Sequence, residues 1–173
     1  MRRMLLRLAT HDRRLVAALA RRDAPEWMDR SFRLVTHAGG ATATIGVSLG
    51  LLLHPATRQA GVVASAANLL SHLAVQGLKR TVVRQRPSLA MPGVTPLAHL
   101  PDRFSFPSGH AAAAMAVALG LLVASPLAGL PVLALALLVG VSRVYLRVHY
   151  ATDVLVGQAL GAGAALLAYL TLS

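Results

Sequence analysis

A short polar segment between two apolar stretches carries the residues best suited to chemistry. Residues 142–153 read Ser-Arg-Val-Tyr-Leu-Arg-Val-His-Tyr-Ala-Thr-Asp, and no charged residue follows Asp153. His149 and Asp153 are four residues apart, so one helical turn would place them on the same face. A carboxylate beside an imidazole fixes its tautomer and raises its basicity, which prepares a histidine for nucleophilic or base catalysis. Arg143 adds a permanent cation whose planar fork suits phosphate oxygens. Alternatively, Asp153 caps the next helix and Arg143 extends to the lipid surface.

The composition is that of an integral membrane protein. Hydrophobic residues make up 55% of the chain, charged residues 13%, and the mean hydropathy is +0.61; a soluble domain carries about twice that charged fraction. The absence of cysteine excludes disulfides and thiol chemistry. The net charge of +11 flanks apolar segments, so anionic lipid head groups and phosphate substrates are better partners for it than nucleic acid.

We expect an all-α, polytopic membrane bundle of about five transmembrane helices, preceded by an N-terminal amphipathic helix. Residues 1–33 mix leucines with arginines, which is typical of a helix lying in the membrane interface; a solvated charged arm is the alternative. Residues 34–173 form the expected membrane-embedded domain, in which each span requires about 20 apolar residues. The expected spans are residues 34–57, 59–78, 111–124, 130–144 and 154–172.

Two further polar clusters lie at the ends of spans. Residues 79–87 read Lys-Arg-Thr-Val-Val-Arg-Gln-Arg-Pro, and residues 106–110 read Phe-Pro-Ser-Gly-His. Counting the crossings places both clusters on the same face of the membrane as residues 142–153. Ser108 and Gly109 would open a helix, where free backbone N–H groups form an anion site; a simple turn or helix cap is the alternative.

Together the three clusters supply what phosphoryl transfer requires. Cations and N–H groups stabilise the phosphoryl oxygens, one histidine attacks phosphorus, and the other protonates the leaving oxygen. The same histidines and aspartate are possible metal ligands, but the neighbouring cations would repel a divalent ion, so we expect no metal site.

Two patterns concern helix packing. Asn68, His72 and Gln76 recur every four residues and form one polar stripe, in which we interpret His72 as a partner in an interhelical hydrogen bond rather than a catalytic group. Gly157 and Gly161 form a face of small residues suited to close helix contact.

The ordered motifs resemble those of the type 2 phosphatidate phosphatase (PAP2) superfamily, which includes bacterial polyprenyl-diphosphate phosphatases, glucose-6-phosphatases and vanadium haloperoxidases. The family pattern is Lys-x6-Arg-Pro, then Pro-Ser-Gly-His, then Ser-Arg-x5-His-x3-Asp, and the resemblance covers roughly residues 60–170. The matching residues are Lys79, Arg86, Pro87, Pro107, Ser108, Gly109, His110, Ser142, Arg143, His149 and Asp153.

The resemblance implies a role for each matching polar residue and no cofactor. His149 would be the nucleophile that forms a phosphohistidine, Asp153 would orient it, and His110 would act first as general acid and then as the base that activates water. Many membrane members have six spans, so the chain is expected to lack the first of them. The residues implied in binding phosphate are Lys79, Arg86, Ser108, Gly109 and Arg143.

The implied function is that of a bacterial membrane lipid phosphatase acting on a polyprenyl diphosphate such as undecaprenyl diphosphate. Phosphatidate, phosphatidylglycerophosphate and polyprenyl-phosphate sugars are alternative substrates; a non-catalytic protein that binds anionic lipids and a carrier of lipid phosphates are alternatives of another class. The resemblance implies a multi-pass protein of the bacterial plasma membrane with its site facing away from the cytoplasm. The positive-inside rule, applied to the N-terminal arginines, predicts the opposite orientation. The sequence does not predict the oligomeric state.

Overall fold

The computed structural model describes residues 2–172, with the side chains of residues 6–172 except that of Ala124. Residues 1–5 of the predicted interfacial segment therefore have side chains outside this description. Within the described range there is no strand, only an isolated bridge between Gln85 and Phe104. The helices are α1 (Arg2–Ala20), α2 (Glu26–His37), α3 (Ala41–Leu53), α4 (Arg58–Thr81), α5 (Pro87–Ala90), α6 (Gly109–Ala124), α7 (Pro126–Tyr145) and α8 (Ala151–Leu172).

The helices pack as a membrane bundle centred on α6, which contacts α4, α7 and α8, while α3 covers α4. Glycines allow this close approach. A Cβ at Gly157 would strike the carbonyl of Ser108, one at Gly161 would strike the carbonyl of Ala112, and one at Gly120 would meet the backbone of Ala64. The predicted small-residue face of α8 therefore packs directly on α6, and its first glycine meets the polar cluster that opens α6.

Five segments correspond to the five predicted spans: the α2–α3 pair, α4, α6, α7 and α8. Three of them (α4, α7 and α8) are long and apolar enough to cross a membrane alone, and the α2–α3 pair passes the same test together. The first predicted span is not one straight helix, because α2 and α3 meet at an angle of 49° where Gly39 and Gly40 interrupt the helix. Helix α6 is the shortest, rising about 24 Å along its axis at about 1.5 Å per residue.

The N-terminal helix α1 is docked on the bundle. Val16 is fully buried and packs against Val94 and Tyr150. Asp12 is also buried, with 4% of its surface exposed, although its neighbours Arg13 and Arg14 are exposed. One face of α1 is therefore part of the protein interior, and it lies against the segment that joins α7 to α8.

Candidate active site

The three polar clusters predicted from the sequence meet at one end of the bundle. The backbone N–H of Ser108, at the start of α6, donates to the carbonyl of Asp153 in the first turn of α8 (2.9 Å). Arg86, directly before α5, donates through Nη1 to the carbonyl of Val148 (2.9 Å). The three clusters, which counting the spans placed on one face of the membrane, are therefore in direct contact.

The end of α7 sets the position of His149. Arg147 adopts a left-handed conformation (φ 61°) directly after the helix, which turns the chain back on itself. The backbone N–H groups of Val148 and His149 then both donate to the carbonyl of Arg143, each at 3.2 Å. This hairpin holds the imidazole in the interior, where His149 is 2% exposed.

The hydrogen bonds of the imidazole define its tautomer. Nδ1 lies 2.6 Å from the carbonyl oxygen of Ser105, and because a carbonyl only accepts, Nδ1 carries the proton. Nε2 lies 3.2 Å from Nη1 of Arg86, which only donates. Nε2 therefore presents its lone pair, which is the state a histidine nucleophile requires.

Asp153 lies beside His149 without a direct hydrogen bond to its ring. Its Oδ2 lies 3.7 Å from Nδ1 of His149, beyond hydrogen-bond distance, and accepts instead from the backbone N–H of Tyr150 (2.9 Å). The direct orienting partner of His149 is the carbonyl of Ser105. Asp153 acts at slightly longer range, through its charge and by fixing the backbone next to the histidine.

The surroundings keep His149 neutral. Burial, together with the positive charges of Arg143 and Arg86, lowers the pKa of His149 to about 4, although Asp153 opposes this shift. A histidine whose pKa lies below its ordinary value loses its proton at lower pH, so the imidazole is uncharged at pH 7. Since a protonated ring has no lone pair on Nε2, these cations help to keep that lone pair available.

Arg84, which the motif leaves unspecified, links α1 to this centre. Its guanidinium donates to Oδ1 of Asp153 (2.7 Å) and to Oδ2 of Asp12 (2.8 Å), and its Cζ lies 4.0 Å from the centroid of the Tyr150 ring. Asp12 also accepts from the backbone N–H (3.2 Å) and from the hydroxyl of Thr152. A carboxylate from the N-terminal helix and one from the third motif therefore share a single cation.

Asp102 forms ion pairs with both Lys79 and Arg86, the cations of the first motif. It accepts from Nζ of Lys79 (2.6 Å) and Nη2 of Arg86 (2.9 Å), and its position is fixed by the backbone N–H of Phe104 (3.0 Å). Partial burial would raise the pKa of Asp102, but the hydrogen bonds and charges of Lys79 and Arg86 outweigh burial and lower it. The carboxylate is ionised, so both cations are already paired with an anion.

Two buried donors of the site have no partner within the described residues. These are the hydroxyl of Ser108 and Nε of Arg143, and their residues are 0% and 2% exposed. Ser108 precedes α6 without capping it through its side chain, so the alternative of a simple helix cap is not what the structure shows. Arg143 donates through Nη1 to the hydroxyl of Thr36 (2.8 Å) and contacts no described carboxylate. Because an unsatisfied buried donor is costly, both groups indicate a site for an anion.

His110 borders the same cavity as Lys79 and Asp102. It occupies the first turn of α6, and its Nε2 is close to Gly40, where α3 begins. Its ring lies within electrostatic range of Arg143, Arg86 and His149, and no side-chain hydrogen bond to another described residue holds it. The backbone at Gly109 is not crowded by other side chains, since a Cβ there would meet only Val75, at 3.7 Å.

Sequence reasoning missed four residues of this centre: Asp12, Arg84, Asp102 and Ser105. Two of them had a signal. Asp102 is the only acidic residue between Asp29 and Asp153, and Arg84 stands two residues before the motif arginine. Ser105 contributes a carbonyl, and every residue has one. Asp12 lies 140 residues from its partner Thr152, so no local spacing relates them.

The profile of the PAP2 superfamily matches residues 60–173. The chain belongs to the PAP2 superfamily. The match begins inside α4, so the PAP2 region contains all three motifs, while Asp12 and Thr36 lie outside it.

Several characterised PAP2 phosphatases are similar in sequence. The decaprenylphosphoryl-5-phosphoribose phosphatase of Mycobacterium tuberculosis is 38% identical over 66% of this chain and 62% of its own length, and that of Mycolicibacterium smegmatis is 39% identical over 70% and 64%. Phosphatidylglycerophosphatase B of Bacillus subtilis is 41% identical over 49% of this chain and 44% of its own. The matched region spans less than two thirds of the length of these relatives.

Two solved PAP2-type structures have the same architecture. The crystal structure of LpxE from Aquifex aeolicus superposes with a TM-score of 0.80 at 24% identity, covering 91% of this chain and 93% of LpxE. The PAP2-type phosphatidylglycerolphosphate phosphatase from Bacillus subtilis superposes with a TM-score of 0.74 at 29% identity, covering 94% and 85%. The fold is therefore the PAP2 transmembrane fold.

The state of His149 is open to direct measurement. We expect its imidazole to titrate near pH 4 in detergent-solubilised protein without substrate, because burial and two arginines oppose its charged form. The ¹⁵N chemical shifts of the histidine side chains, followed by NMR from pH 8 to pH 3.5, report this midpoint. The signal is assigned by its loss in His149→Ala, and a midpoint near the ordinary 6.5 would contradict the proposed environment.

The Asp12–Arg84–Asp153 network makes a prediction about stability. Replacing Arg84 by Met leaves two buried carboxylates without a counter-charge, and we expect a loss of roughly 2–4 kcal/mol of unfolding free energy. Adding Asp12→Asn should recover part of that loss. Chemical denaturation in detergent measures both.

The matched control is Arg30→Met, which removes an exposed ion pair to Glu26 (2.6 Å) and should cost less than about 1 kcal/mol. Equal losses for the two arginines would show that the network contributes no more than a surface pair.

Proposed function

We propose that the chain is a membrane lipid phosphatase that works through a phosphohistidine on His149. The observation that carries this proposal is the combination of a neutral imidazole whose Nε2 is unprotonated and accepts from Arg86 with two buried, unpartnered donors, Ser108 and Arg143. A phosphoryl group is a suitable ligand, because its oxygens satisfy both donors while its phosphorus faces the lone pair. Membership of the PAP2 superfamily and its named phosphatase relatives support the assignment.

The proposed reaction has two steps. Nε2 of His149 attacks phosphorus, the bond to the leaving oxygen breaks, and His110 gives that oxygen a proton. His110 then takes a proton from water, the resulting hydroxide attacks the phosphohistidine, and inorganic phosphate leaves with the imidazole restored. Throughout, Nδ1–H of His149 stays on the carbonyl of Ser105, which stabilises positive charge on the ring.

The cations have unequal parts in this proposal. Arg143 is the primary phosphate ligand, because it contacts no described carboxylate. Arg86 transfers its N–H from Nε2 of His149 to a phosphoryl oxygen when the nucleophile engages. Lys79, paired with Asp102, borders the entrance and contacts the outer oxygens. The backbone at Gly109 and the hydroxyl of Ser108 complete the cradle at the start of α6, whose N-terminus favours an anion.

The proposed substrate is a phosphate or diphosphate carried by a lipid. The site lies at the end of a membrane bundle, and a groove between α3, α4 and α6 leads from Lys79 and His110 toward its apolar middle. A polyprenyl carrier such as undecaprenyl diphosphate was the expectation from the sequence. The relatives named above act on a decaprenyl phosphoribose and on phosphatidylglycerophosphate, so the broader class is a phosphate at the polar end of a lipid.

Substitution of the nucleophile and of one cradle donor tests the chemistry. We expect His149→Ala to abolish release of inorganic phosphate from a lipid phosphate in mixed micelles, and Ser108→Ala to lower kcat by about 10²-fold, the usual effect of losing one preorganised donor. The matched control is Ser88→Ala, because Ser88 also has a buried hydroxyl with no described partner but is half-buried and lies in α5. Unchanged release by His149→Ala would refute the mechanism. A wild type without turnover that still binds lipid would favour the carrier or lipid-binding alternative.

The proposed location is the bacterial plasma membrane, with the site facing away from the cytoplasm. Because Asp12 of α1 bonds to Thr152 at the site, the N-terminal helix and the catalytic centre lie at the same end of the bundle. A reporter enzyme fused before residue 1 should therefore be active only in its extracytoplasmic form. A cytoplasmic N-terminus would place the site in the cytoplasm, as the positive-inside rule predicts.

A further inference from the structure

One face of α4 is polar along most of the membrane depth. Residues spaced three or four apart in a helix share a face, and on α4 they border a cavity of about 520 Å³ between α3, α4 and α6. At one end the cavity is closed by Asp102 and His110 of the proposed catalytic site. We call this face the polar stripe; its members are Ser65, Asn68, His72, Gln76 and Lys79.

The stripe has no protein partner within residues 6–172, Lys79 excepted. The side chains of Asn68, His72 and Gln76 make no hydrogen bond there, and the hydroxyl of Ser65 is buried and unpartnered. The interhelical hydrogen bond predicted for His72 is therefore not formed within the described chain. His72 and Gln76 are exposed, and because unpaired polar groups facing the membrane interior are costly, this face suits a ligand with hydrogen-bonding groups of its own.

The facing wall fits the same ligand. Thr44 and Ser48 of α3 line the cavity, and their hydroxyls donate to the carbonyls of Gly40 (3.1 Å) and Thr44 (2.8 Å) in their own helix. Their oxygens are left as acceptors toward the cavity. Ile45 and Leu49 make the rest of this wall apolar. A flat, partly apolar molecule with several hydroxyls matches such a mixed lining.

The charge and length of the stripe narrow the ligand class. Beyond Lys79 the stripe offers only amides, an imidazole and a hydroxyl, which bind hydroxyl groups but do not neutralise a second phosphate. At about 1.5 Å per residue, Gln76 lies about 5 Å and His72 about 10 Å below Lys79 along the axis. That depth accommodates a sugar ring or a short polyol before the hydrocarbon chain begins.

Building on the proposed function, we propose that the polar stripe binds a hydroxylated group, a sugar or a polyol, that joins the scissile phosphate to the lipid. His72 and Gln76 are specificity-determining residues in this arrangement. They favour phosphorylated glycosyl or polyol lipids over a bare polyprenyl diphosphate, whose inner phosphate would lie against uncharged groups. This narrows the substrate class of the catalytic site and leaves its chemistry unchanged.

Three substrates of defined headgroup test the proposal in mixed micelles: a long-chain alkyl pentoside whose only phosphate is carried by the sugar (the pentose lipid), a polyprenyl diphosphate of equal chain length, and dioleoyl phosphatidate, which has no free hydroxyl. Wild type should show the highest kcat/KM with the first. In His72→Leu/Gln76→Leu its KM should rise about tenfold, since two lost hydrogen bonds are together worth about one factor of ten. For phosphatidate, kcat/KM should change less than about twofold.

Two further variants keep the result interpretable. His72→Gln retains a hydrogen-bonding group and should recover most of the loss, and it replaces the double variant if the latter does not fold. Ala74→Leu adds the same bulk on an exposed part of α4 outside the cavity and should leave all three substrates unchanged.

The outcomes separate this inference from the proposed function. Equal losses on all three substrates, or no change with the pentose lipid, overturn the role of the stripe while phosphatase activity stands. No phosphate release from any substrate by wild type, or release that survives His149→Ala, overturns the phosphatase itself.

Discussion

The structure of the candidate site depends on ion pairs between buried charged groups around the imidazole of His149. Four cations lie about His149, and an ionised group withdrawn from water is tolerated only when it is paired and hydrogen-bonded. Three carboxylates from three distant parts of the chain supply that pairing, and each of them meets at least one cation at 2.9 Å or less. The pairs are Arg84 with Asp12 and Asp153, and Lys79 and Arg86 with Asp102.

The pairing leaves Arg143 as the cation that contacts no described carboxylate, and this asymmetry gives the site its chemical character. If all four cations were paired with carboxylates, the site would have no electrostatic attraction for an anion. If none of the four were paired, burying them would be too costly. With one guanidinium unmatched and an uncharged His149 beside it, an entering phosphate meets an attractive charge and a nucleophile that is not protonated. The Ser105 carbonyl, neutral and fixed by backbone hydrogen bonds, orients the ring without adding to the charge count.

The sequence could predict which motif residues lie together better than it could predict the residues that support them. Sequence spacing relates His149 to Arg143 within one short segment. Counting the spans brings three such segments to one end of the bundle, because helices in a membrane must cross and return. The supporting contacts have no such rule. Asp12 and Thr152 are joined across 140 residues, and Ser105 acts through a carbonyl that no side-chain pattern reveals. The helices follow the apolar segments well. The bend between α2 and α3 was not predicted, although Gly39 and Gly40 and the change from the polar α2 to the apolar α3 mark it.

That bend is also where the region before the PAP2 match enters the site. A Cβ at Gly39 would come 2.6 Å from Val139 and 2.8 Å from the carbonyl of His110, so only a glycine lets the chain pass between α6 and α7. One turn earlier, Thr36 accepts the hydrogen bond of Arg143, which aims the unmatched cation. A straight span from α2 into α3 would carry these two contacts apart. The 49° bend therefore places Thr36 on Arg143 and Gly39 beside His110, so two residues outside the region matched to the family contribute to the geometry of the candidate site.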